Sequence, residues 1–152
     1  MSDRSVIHST FVVDRVFAAT QERVFAAFAD PKAKALWFTG PREWRTPVQT
    51  FDFRVGGHET NVGGPIEGPR SSFDALYLDI VPGERIIYTY EMHLDERTIS
   101  ESLATIELTP VDGGTRLVLT EQGAYLDGFD KPEWRERGTI DLMDALGASL
   151  AG

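Results

Sequence analysis

Apolar and polar positions along the chain switch between two periods. From Val6 to Phe17 the residues Ile7, Phe11, Val12, Val13, Val16 and Phe17 are β-branched or aromatic and predict a first strand. Thr20 then offers a helix N-cap and Glu22 favours the helix dipole, while Val24, Phe25 and Phe28 fall on one helical face. A second short helix is predicted from the cap-then-proline pair Asp30-Pro31, running from Ala33 to Phe38 and ending at Gly40-Pro41.

After a polar stretch to Pro47 the period returns to two. Phe51 and Phe53 alternate with Asp52 and Arg54, and Gly56-Gly57 turns the chain into a strand from His58 to Val62. Gly63 to Pro69 reads as a mobile connection of the kind that rims binding sites. Phe73–Val81 and Arg85–His93 pair across the Pro82-Gly83 turn, with Ile86, Tyr88, Tyr90 and Met92 on one face. Ile99–Pro110 and Thr115–Gln122 follow, joined by Asp112-Gly113-Gly114. The last stretch has helical spacing at Trp134, Leu142, Leu146 and Leu150, with Asp130 as the expected cap and Pro132 in the first turn. The predicted order is β, two short helices, a six-stranded meander and one long helix. A curved antiparallel sheet closed by a single helix encloses a hollow, so the pattern points to a ligand cavity.

Composition narrows the partners. A chain of 152 residues fits one domain, residues 1–152, able to bury about 70% of its unfolded surface. The net charge of −9 and the absence of cysteine argue against nucleic acid, membrane surfaces, disulfides, thiolate nucleophiles and Cys-ligated zinc. The first residues show no signal-peptide or membrane-span pattern, so a cytoplasmic protein is expected. The histidines lack an i, i+4 partner, and no phosphate loop or nucleophile elbow occurs. No metal and no cofactor are expected.

Five segments in the same order resemble the activator of heat-shock-protein-90 ATPase homologue group of the SRPBCC (START and birch-pollen-allergen-like) superfamily. They are Val24-Phe25-Ala26-Ala27-Phe28 with Asp30-Pro31 and Leu36-Trp37-Phe38; Asp52-Phe53-Arg54-Val55-Gly56-Gly57; Asp79 to Ile86; Asp112 to Leu117 with Leu119-Thr120; and Arg137 to Leu146, where Thr139-Ile140 stands in place of the tryptophan usual after the glycine. The resemblance spans nearly the whole chain and implies an α+β helix-grip fold. It also implies a pocket lined by the concave face of the sheet and the inner face of the long helix. Functions in the group range over cyclases and aromatases, lipid and hormone binders, and chaperone-interacting domains, and fold alone does not choose among them.

Within that frame Tyr88, Tyr90 and Met92 are expected to line the pocket, joined by Phe51, Phe53, Phe73 and Met143, while Trp37, Phe38 and Trp134 sit near its mouth. The same residues also suit ordinary core packing. Glu121 shares the parity of Leu117 and Leu119 and could project a carboxyl inward as a general acid or base; the adjacent Gly123 favours a frayed, solvated end instead. His58 could face the cavity and move a proton, although a solvent-facing turn histidine is the commoner arrangement. Three functions stay open: binding of a small hydrophobic, aromatic or lipid-like molecule, a cofactor-free cyclase or aromatase, and a protein-interaction module with a filled core. A homodimer and a protein partner are left open too.

Overall fold

A computed structural model describes residues 3–40, 44 and 48–151. The elements are β1 (Val6–Phe17), α1 (Gln21–Ala29), α2 (Pro31–Ala35), β2 (Val48–Phe51), β3 (His58–Gly63), β4 (Ser71–Val81), β5 (Arg85–Leu94), β6 (Arg97–Val111), β7 (Gly114–Leu126) and α3 (Pro132–Ala151). Thr20 caps α1 by accepting from the Arg23 N–H at 3.2 Å, and Asp30 starts α2 by accepting from the Lys32 N–H at 3.1 Å. α2 stops at Ala35 rather than Phe38. The chain tightens there, with the Leu36 N–H bonded to the Ala33 carbonyl, and the Trp37 indole turns back to donate to the Ala27 carbonyl at 2.9 Å. The predicted stop at Pro41 and the polar stretch ending at Pro47 lie outside the described residues.

All seven strands form one antiparallel sheet in the order β1-β7-β6-β5-β4-β3-β2. The last strand therefore closes on the first, with Val6 opposite Leu126 and Phe17 opposite Thr115. β7 continues past Gln122 to Leu126 because it is paired on both sides. Gly123 faces Ser9 of β1 and Ser102 of β6, so it lies inside the ladder and does not end it. A Cβ at Gly123 would sit 3.0 Å from the ring of Tyr125, and the glycine gives that buried ring its room.

α3 begins at Pro132, and its N-cap position is Lys131, whose carbonyl accepts from the Arg135 N–H. Asp130, expected as the cap, lies one residue earlier and accepts from the Lys131 N–H at 2.8 Å. Met143, Leu146 and Leu150 on α3 pack with Phe11, Val13 and Phe17 of β1 and Val24 and Phe28 of α1 into the main core. Short side chains occupy the inner face of the middle strands, Ser100, Ser102 and Ala104 on β6 and Ala75 on β4. They leave space under the first half of α3 while the second half is packed tight. The result is the helix-grip architecture, an open curved sheet around a C-terminal helix.

Candidate functional site

A cavity of about 460 Å³ fills that space. Strand alternation brings Ile86, Tyr88, Tyr90 and Met92 of β5, Leu119 and Glu121 of β7, and Phe73 and Tyr77 of β4 to its floor. α3 supplies the roof with Arg135, Gly138, Thr139, Leu142 and Met143, which recur at helical spacing. Phe38, Trp44 and Trp134 also line the cavity, Trp134 being 59% exposed, whereas Trp37 reaches it from the buried core. The aromatic rings form a continuous chain: Tyr77 to Tyr88 at 5.8 Å, Tyr88 to Tyr90 at 5.9 Å and Tyr90 to Phe73 at 5.0 Å between centroids.

Nine of the ten aromatic and methionine positions expected at a pocket do line this cavity: Trp37, Phe38, Phe53, Phe73, Tyr88, Tyr90, Met92, Trp134 and Met143. Phe51 does not. It sits on β2 beyond β3 and lines a small side crevice with Lys34 and Glu59. His58 also points elsewhere: it is solvent-exposed on the convex face, 3.9 Å from Asp74, because its neighbour Glu59 takes the inward position. Glu121 is only 2% exposed, so the frayed-end reading is corrected.

Glu121 belongs to a polar cluster at the α3 end of the cavity. The Tyr90 hydroxyl donates to Glu121 Oε2 at 2.7 Å and accepts from Arg135 Nη1 at 3.1 Å. Arg135 also donates to Ser100 at 2.9 Å and to Ser102 at 3.5 Å, and it pairs with Asp130. The guanidinium is thus held over the small-residue patch of β6 by Asp130, two residues before the helix begins. Burial pushes the Glu121 carboxyl above the ordinary carboxylate range, opposed by the Tyr90 hydrogen bond and by Arg135. Burial likewise pushes the Tyr90 hydroxyl up, with the Glu121 charge adding to the rise. Both groups therefore hold their protons more tightly than in water. Among the described residues, the Tyr125 hydroxyl is buried without a partner.

A second cluster ties the mouth helix to the sheet. Lys34 Nζ donates to Glu59 Oε1 at 2.5 Å, and the Tyr77 hydroxyl donates to the same oxygen at 2.5 Å. The ammonium also lies 4.6 Å from the Phe38 ring centroid and 5.1 Å from that of Phe51. Burial lowers the Lys34 pKa, with Glu59 opposing. Between the clusters, the Tyr88 hydroxyl makes no hydrogen bond among the described residues, and Tyr88 lines the cavity.

Lys34, Glu59, Tyr77 and Arg135 were not singled out from the sequence, and Asp130 was expected only as a helix cap. Arg135 had a signal, since it lies four residues before Thr139 and eight before Met143 on the inner face of α3. Glu59 shares β3 parity with Asn61, but register is needed to know which parity faces in. Among the described residues no group of His, Asp and Glu could hold a metal ion, and no helix is long and apolar enough to cross a membrane.

A single curved sheet gripping one helix over an aromatic-lined hollow defines an SRPBCC-type helix-grip domain. Residues 18–151 match the Activator of Hsp90 ATPase homolog 1-like protein family, and the chain belongs to that family. It is similar to an uncharacterised protein of Rhizobium leguminosarum at 42% identity, covering 97% of each chain with a TM-score of 0.92. The Mll3558 protein of Rhizobium loti is 44% identical over 95% of this chain and 99% of its own, with a TM-score of 0.89. The DynU16 protein of a dynemicin biosynthetic locus shares the fold at 18% identity and a TM-score of 0.67, over 93% of this chain and 47% of its own. No functionally curated protein matches the chain.

Proposed function

We propose that this protein binds a small hydrophobic or aromatic molecule between the sheet and α3. The observation that carries the reading is the cavity itself: about 460 Å³, of a size that holds small ligands, walled by aromatic side chains with a few fixed polar groups. Its polar groups are pre-positioned by their own hydrogen bonds, so little ordering is required on binding. The bound body would be held by apolar burial at roughly 25 cal/mol per Å², and the Tyr88 hydroxyl would fix its orientation. The protein-interaction alternative calls for a filled core, which a hollow of this size does not supply. The direct test is native mass spectrometry of protein purified from its own host. A retained small molecule, lost on substitution of Tyr88 by Trp to fill the space, is expected. Protein that carries nothing and binds no aromatic probe would refute the reading.

One observation favours a second reading, a cofactor-free enzyme that moves protons. Tyr90 and Glu121 form a hydrogen-bonded pair facing the cavity, and burial raises the Glu121 carboxyl above its ordinary value, the direction that favours general acid work by a carboxyl. Turnover of an aromatic or polyketide-like substrate that disappears in Glu121→Gln with binding intact would establish it.

A further inference from the structure

We propose that the occupant of this cavity is a hydrophobic amine, an organic cation whose ammonium docks on the cavity-facing oxygen of Glu121; the inference rests on the binding reading above. The charges buried around the hollow do not cancel. Lys34 is paired with Glu59, and Arg135 with Asp130. Glu121 is left with a hydroxyl, that of Tyr90, on Oε2, while Oε1 has no partner among the described residues. Counting Glu59, which lines the adjoining crevice and engages Lys34 from there, two cations share three carboxylates. A carboxylate this deeply buried is costly when ionised unless a positive partner arrives.

An anionic ligand fits poorly. It would meet the Glu121 carboxylate, and both cations that could receive it are already engaged. A cation supplies the charge that the site lacks. The walls suit it as well, because aromatic faces attract ammonium groups. Arg135 lies 5.5 Å from the Tyr90 ring centroid, an internal example of that contact. The rings of Tyr88 and Phe73 carry no such cation among the described residues. The net charge of −9 draws cations toward the molecule in the same sense. The ionisable groups facing Glu121 are Tyr90 and Tyr88 from β5, Tyr125 from its own strand, Arg135 from α3 and Asp130 before it.

The test compares three probes of one shape, naphthylmethylamine, naphthalenemethanol and naphthoic acid, by isothermal titration calorimetry on the wild-type chain and on Glu121→Gln. The amine is expected to bind at least tenfold more tightly than the alcohol and the acid at neutral pH. In Glu121→Gln the amine should lose its advantage over the alcohol. At mildly acidic pH, binding of the amine should release protons and binding of the alcohol should not, a readout that the wild-type chain gives alone if the variant does not fold. Equal affinity for amine and alcohol, or tighter binding of the acid, overturns the inference while leaving hydrophobic binding intact. If none of the three binds, the binding reading itself fails and the inference falls with it.

Discussion

Burial holds the Glu121 carboxyl above its ordinary value of 4.5, so the folded chain keeps that proton more tightly than the unfolded chain does. The stability contributed by the protonated form is present below the ordinary value and is lost as pH rises through the folded-state pKa. Glu121→Gln is therefore expected to raise the melting temperature at neutral pH and to change it little at pH below 4.5, as followed by circular dichroism. A lower melting temperature at neutral pH would mean that Tyr90 and Arg135 favour the carboxylate by more than burial penalises it. The two central tyrosines should separate in a similar experiment. Tyr90→Phe leaves Glu121 and Arg135 short of a partner and should cost about 1–3 kcal/mol in urea denaturation. Tyr88→Phe removes a hydroxyl with no hydrogen-bond partner among the described residues, so stability should stay within about 0.5 kcal/mol of the wild type while affinity for the proposed ligand falls. Both tyrosines were legible from two-residue alternation on β5. Lys34, Glu59 and Arg135 were not, because a charged residue in an amphipathic element reads as solvated until a register places it indoors.

At the scale of elements, the Lys34–Glu59 pair fixes α2 against β3 and holds the mouth of the cavity. Breaking a buried pair strands its partner, so Lys34→Met or Glu59→Leu alone should each cost about 3–5 kcal/mol, whereas the double substitution should cost well below the sum, about 1–3 kcal/mol remaining for the Tyr77 hydroxyl that loses its acceptor. Chemical denaturation of the three variants measures this directly, and simple additivity of the single losses would contradict the coupling. On β7, Gly123→Ala puts a methyl against the Tyr125 ring and should cost about 1–3 kcal/mol through overpacking. The element order was readable in full from periodicity and turn residues. Boundaries were less so: α2 ended early because Trp37 reaches back to Ala27, and β7 ran long because pairing on both flanks overrides the local preference of a glycine. Both are tertiary effects that no window of sequence contains.

For the whole molecule, the proposed function couples stability to any molecule bound in the hollow, because the hollow exists only in the folded state. A ligand present at a hundredfold over its Kd adds about 2.7 kcal/mol, which for a domain of this size amounts to a rise of roughly 5–10 °C in melting temperature. Thermal-shift screening of amines, alcohols and acids should therefore rank ligands by affinity alone. The hollow was foreseeable from sequence because aromatic alternation and a lone closing helix both imply it. Its charge imbalance was not, since that depends on which carboxylate each cation chooses.

The pairing of Val6 with Leu126 has a further consequence for biosynthesis. Nearly the whole sheet must emerge from the ribosome before β1 finds its neighbour; until then its backbone edge is unpaired, while the inward side chains of Phe11, Val13 and Phe17 wait for α3 to cover them. Such long-range closure makes folding slow and leaves a sticky nascent chain. Translation that pauses ahead of β7 should thus favour aggregation more than a pause within α3.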